Sequence, residues 1–141
     1  MKHKFLTILL LSFLLAIGKV SVAQTGDNQV FVSNRLINAD VVVREFSKFR
    51  YKDIFSDTVL VTVLGKRNKS KDLSRDELKK WMYKNYFNKD YDFALSAVVN
   101  GGYVIIISQY SKKDEIPVRF FSLFISQSTE KIVVMEIEEN K

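Results

Sequence analysis

From Tyr91 to its last residues the chain keeps a two-residue period and never settles into a helical one. Four runs, residues 91–99, 103–110, 118–126 and 132–138, are rich in β-branched and aromatic side chains. Turn-forming segments separate them: Asn100-Gly101-Gly102, then the polar stretches 111–117 and 127–131. Asn and Gly tolerate positive φ, so the first of these reads as a tight hairpin turn. The pattern predicts an antiparallel meander of four strands. In the first, Phe93, Leu95, Ala97 and Val99 share one face by strict alternation.

A sheet with one wet face should alternate apolar with polar residues. Residues 118–126 do not: Phe121, Leu123 and Ile125 occupy one face, and Val118, Phe120 and Phe124 the other. Residues 103–110 repeat this, with Ile105 and Ile107 opposite Val104 and Ile106. Both faces therefore need cover. Helices from the first half of the chain can cover one, and the other must meet a partner subunit or sit over a filled cavity, a homodimer through the sheet being the economical expectation.

The upstream half supplies those helices. Val42, Phe46 and Phe49 recur at spacings of four and three, which predicts a helix over residues 38–55 started by Asn38 or Asp40. The run Val41-Val42-Val43 argues for a strand instead. Residues 58–64 (TVLVTVL) read as a strand, followed by a basic loop over 65–72 (GKRNKSKD). Such a loop is ordinarily a solvated turn. Lys66, Arg67, Lys69 and Lys71 also make it a candidate contact for an anionic surface, but no aromatic residue interleaves them for base stacking, and no nucleic-acid partner is expected. Ser74-Arg75-Asp76-Glu77 is a capping box. Behind it Leu78, Trp81, Met82 and Tyr86 form one apolar stripe, predicting a helix over 75–87. Aromatic residues on such a stripe are ordinarily core, and Trp81 and Tyr86 are also candidates to line a ligand site.

The N-terminus has the layout of a cleavable signal peptide over residues 1–23: Lys2 and Lys4, an apolar run from Phe5 to Ile17, then Ser21-Val22-Ala23 before Gln24. The apolar run is too short for a spanning helix, which needs about 20 residues. No transmembrane segment is expected after cleavage, and residues 24–141 should form a single exported domain, periplasmic or secreted. Losing Lys2, Lys4 and Lys19 lowers the basic count from 22 to 19 against 16 acids, for a net charge of about +3 in place of +6. There is no cysteine, and the sole histidine, His3, lies in the signal segment. Disulfides, Cys–His or Ser-His-Asp catalysis and the commonest zinc sites are thereby excluded from the mature chain. No cofactor or metal is expected. Acid–base chemistry would have to rest on carboxylates, tyrosines and lysines.

The order of elements in residues 40–138 resembles the nuclear transport factor 2-like (NTF2-like) superfamily, which includes the SnoaL-like proteins. The resemblance is carried by Phe55-Ser56-Asp57-Thr58-Val59 leading into the first strand, residues 74–87 as the helix before the meander, and the four strands that follow. It implies an α+β fold in which a curved antiparallel sheet of four or five strands wraps N-terminal helices as a cone, with a pocket at the open end and often a dimer through the outer face. Trp81, Tyr86, Phe93, Tyr103 and Phe120 are the candidates to line such a pocket. Enzymes of that superfamily use an aspartate base, and no residue here matches one, so no catalytic residue is carried over. Three functions stay open. The favoured one is a non-catalytic module binding an apolar or amphipathic small molecule or a protein partner. The second is a histidine-free isomerase, cyclase or dehydratase, with Asp92 beside Tyr86 or Tyr103 as its only available acid–base pair. The third is an envelope or surface role through the basic loop.

Overall fold

The computed structural model describes residues 38–141; the expected signal peptide and polar lead-in fall outside the described residues. Helix α1 (Ala39–Ser47) begins at Asn38, whose side chain accepts from the Asp40 amide at 2.9 Å. It stops eight residues before the predicted end. Phe49 takes a left-handed φ of 56°, the Arg50 amide reaches back to the Glu45 carbonyl at 2.9 Å, and the Phe49 amide to that of Phe46 at 3.2 Å. These two bonds make a Schellman close, a position usually given to glycine. A phenylalanine there costs roughly 1–2 kcal/mol of backbone strain. Its ring offsets this by packing on Tyr51, Tyr83 and Phe87. A single 3₁₀ turn, Tyr51–Asp53, then leads into strand β1 (Phe55–Val63).

The basic segment is not a simple loop. Only its first part turns, with the Gly65 amide donating to the Asn68 side chain at 3.2 Å, and Lys69–Ser74 forms strand β2, paired antiparallel to β1. Its residues are almost all exposed, so the hydrophobic alternation that betrays a strand is missing. A charged strand of this kind is how a sheet protects its edge. Helix α2 (Arg75–Tyr86) follows directly, and both arms of the Ser74–Glu77 capping box are made.

The meander comprises β3 (Tyr91–Val99), β4 (Val104–Ser111), β5 (Pro117–Ile125) and β6 (Ile132–Glu139). Asn100, Gly101 and Gly102 all take positive φ at the first turn. Sheet order is β2-β1-β6-β5-β4-β3, so β1 lies parallel beside β6 and every other pair is antiparallel. The sheet is thus six-stranded and mixed rather than a purely antiparallel one of four or five strands.

Register sorts the side chains onto two faces. One row across the helix-covered face runs Lys71, Val61, Met135, Leu123, Ile105, Val98; the next runs Lys69, Val63, Ile137, Phe121, Ile107, Leu95. The central residues of both rows are buried together with Val42, Phe46, Leu78 and Met82 from the helices. The opposite face carries Leu60, Val134, Phe124, Val104 and Val99 in one row and Glu138, Phe120, Ser108 and Ala94 in another, most of them partly exposed. In β3 the predicted alternation breaks. An irregularity between Leu95 and Ala97 shifts the register, so Phe93 and Leu95 face the helices while Ala97 and Val99 face away.

Two substitutions check this packing by urea unfolding. Phe121→Ala, at the centre of the covered face, should cost about 3–5 kcal/mol. Ser74→Ala should cost about 1 kcal/mol through loss of the cap.

Candidate functional site

Three polar residues occupy the inward phase of the meander, where the core pattern calls for apolar ones. Gln109 continues the Ile105, Ile107 face of β4 and is fully buried, and Arg119 precedes Phe121 on β5. Glu139 stands opposite Arg119 on β6, and Phe93 opposite Gln109 on β3. The row Glu139, Arg119, Gln109, Phe93 therefore crosses the covered face one step beyond the apolar core.

Its members are bonded to one another and to α2. Arg119 donates through Nε to Glu139 Oε1 at 3.0 Å and through Nη1 to Gln109 Oε1. Gln109 in turn donates its Nε2 to the carbonyl of Tyr86 at 2.7 Å, satisfying an acceptor that the end of the helix leaves open. The Arg119 guanidinium lies 5.0 Å from the centre of the Tyr86 ring, where a cation also suits the negative end of the helix. Tyr86 packs edge-on against Trp81 at 5.3 Å and against Phe121 at 5.5 Å. Lys71 from β2 closes the group, its ammonium 4.3 Å from the centre of the indole.

Burial pushes the Tyr86 phenol above its ordinary range; Glu139 adds to the rise and Arg119 opposes it. Tyr51, deeper in the core, is pushed much further up by burial alone, and its hydroxyl has no hydrogen-bond partner.

The five sequence candidates separate. Trp81, Tyr86 and Phe93 lie on the helix-covered side, linked through Phe121, which is 6.0 Å from Phe93. Tyr103 sits just before β4, six residues or roughly 20 Å of strand from Gln109. Phe120 is on the opposite face, between Ser108 and Glu138. Asp92 pairs with Tyr110, one residue out of phase with Phe93, so it faces away from Tyr86 and bonds the adjacent Phe93 amide at 3.0 Å. The Asp92–Tyr86 acid–base pair is therefore not formed. Nor do the four basic residues of segment 66–71 make one patch: Lys69 and Lys71 take the inward phase of β2, while Lys66 and Arg67 stay in the turn.

Gln109, Arg119 and Glu139 were missed from sequence, although a signal was there. Gln109 and Arg119 fall in phase with the apolar face of two neighbouring strands.

The geometry and the topology together define an NTF2-like α+β fold. A DUF4783 family protein from Bacteroides ovatus is similar over 76% of this chain and 98% of its own, at 13% identity and a TM-score of 0.55. A designed NTF2-like protein with a long sheet is similar over 71% of this chain and 99% of its own, at 13% identity and a TM-score of 0.51. No family model matches the sequence, and no curated protein does.

Alkaline titration checks the site. Tyr86 holds its proton longer folded than unfolded, so this phenol's contribution to stability falls as pH climbs past about 10. Glu139→Gln should lower the Tyr86 midpoint in a phenolate absorbance titration, with Tyr86→Phe identifying the signal. An unmoved midpoint would separate Glu139 from Tyr86.

Proposed function

We propose that the chain is an exported, non-catalytic binding module whose helix-covered face holds an amphipathic small molecule beside Arg119. The observation that carries this reading is the bonded row of Gln109, Arg119 and Glu139. A row of polar side chains inside an apolar face is expensive, and replacing such groups by well-packed apolar ones is often neutral or stabilising. Its retention suits a recognition role. Next to it Phe93 is half-buried, and Leu95 and Val98 on the same face are 39% and 43% exposed, an apolar strip adjoining a charged one. Lys71 sets its ammonium over the Trp81 ring, with Lys69 in the same phase of edge strand β2. A ligand with an apolar body and an anionic head fits that division.

Export is supported by the layout of residues 1–23. The face away from the helices, with Leu60, Val104, Ile106, Phe120, Phe124 and Val134 together, suits a second copy of the chain. Glu136 lies within that face between Thr62 and Ser122, with Glu138 two residues along it. Desolvation, and then Glu138, push the Glu136 carboxyl above the usual range.

Native mass spectrometry of the protein purified from its host envelope tests the reading. A chain starting at Gln24 and carrying a small molecule that Arg119→Ala loses is the expected result. Recovery of the empty protein, or of a chain starting at Met1, contradicts it. Further burial of Glu136 in a dimer favours its protonated form, so self-association should strengthen as pH falls from 7 toward about 4.5. Glu136→Gln should flatten that dependence in sedimentation measurements. Pairing that weakens on acidification would exclude this face.

A further inference from the structure

The outward side of α2 carries a feature that neither the core nor the Arg119 row uses. Tyr83 and Phe87, one turn apart, stack at 4.5 Å with their planes 10° apart, and they are 55% and 49% exposed. Phe49 packs edge-on against both rings from the left-handed close of α1. Phe49, itself buried and also against Tyr51, thus joins the core to this surface pair.

Around the cluster basic residues outnumber acidic ones. Lys79, Lys80 and Lys84 stand within one turn of Tyr83 or Phe87 on α2, and Lys48 and Arg50 flank Phe49; all five are exposed. Arg50 contacts Glu45 at 3.8 Å, and the first turn of α2 adds the exposed acids Asp76 and Glu77, four and three residues before Lys80. The opposite face of the sheet has the reverse character, with Asp72, Glu136 and Glu138 projecting from it. The outward side of α2 is therefore the more basic part of the fold and the back of the sheet the more acidic.

We propose that this helix face docks on a bilayer surface bearing anionic headgroups. Tyr and Phe at half exposure match the interfacial layer, where aromatic rings are favoured, and each lysine near an anionic surface adds attraction. A carbohydrate platform would surround its rings with free amide or carboxylate groups to bond hydroxyls. Here Asn85 spends its Nδ2 on the Trp81 carbonyl and Asn88 its Oδ1 on the Asp90 amide, which leaves each only part of its bonding capacity. The rim is ammonium groups, which select negative charge. The proposal is independent of any ligand at Arg119.

Vesicle co-sedimentation tests it, using the chain from Gln24, which keeps every core residue among the described residues. Phosphatidylcholine vesicles with about a third phosphatidylglycerol are compared with phosphatidylcholine alone. Binding should be about tenfold tighter to the anionic vesicles. Lys80→Glu/Lys84→Glu and Tyr83→Ser/Phe87→Ser should each lose about tenfold. All four positions are exposed, and an unchanged thermal melt confirms that the variants fold. Equal binding to neutral vesicles overturns the proposal, as does wild-type binding by either double variant. Capture of a soluble polyanion, with no dependence on Tyr83 and Phe87 and no vesicle binding, would replace the membrane with a purely ionic partner and also overturn it.

Discussion

Phe46 is the contact through which the helices and the sheet become one body. Its ring is fully buried and lies 5.2 Å from Phe121 and 5.3 Å from Phe93 on the sheet side. Tyr51 at 5.7 Å and Phe55 at 6.3 Å approach from the turn and from the start of β1. Helix α1 has only nine residues, too few to persist in water by itself. It exists because Val42 and Phe46 bury against β3 and β5. The sharp close at Phe49 follows from the same need, since the chain must turn back under Phe46 to deliver Tyr51 and Phe55. What remains outside this aromatic centre is what has freedom to serve recognition.

The row Gln109, Arg119 and Glu139 lies just beyond that centre and ties it to α2. Gln109 holds the last carbonyl of the helix, so the position of Trp81 and Tyr86 depends on a polar side chain rather than on packing alone. Aromatic burial couples helix and sheet, and the bonded row orients Tyr86 at the end of α2. Membrane docking through Tyr83 and Phe87 would use the outward side of the same helix. A ligand beside Arg119 and a surface beneath Lys80 would then meet on either side of the last two turns of α2.

Much of the fold was legible because it rests on periodicity and local signals. The capping box at Ser74, the stripe of Leu78 and Met82, the turn at Asn100 and the inward faces of β4 and β5 all appear in the structure as the pattern implied. What was illegible shares a cause: it depends on partners distant in sequence. Strand β2 has no apolar alternation, because its stability comes from the β1 ladder rather than from burial. The early close of α1 depends on rings from α2 accepting Phe49. The shift within β3 is invisible to a count of twos, and it moved Ala97 and Val99 to the other face. The site was half legible. Aromatic content pointed to Trp81, Tyr86 and Phe93. Tyr103 and Phe120 were separated from them by register and by distance along the strand. The polar row required reading two strands in phase with each other.

The central claim is that the polar row is retained for recognition and not for stability. Equilibrium urea unfolding of the variant Gln109→Leu/Arg119→Met/Glu139→Leu tests it most directly. Stability equal to or above that of the unaltered chain is the expected result, since apolar replacements of a bonded polar group are often neutral or stabilising. A loss of about 3 kcal/mol or more would contradict the claim and make the row a structural element of the fold.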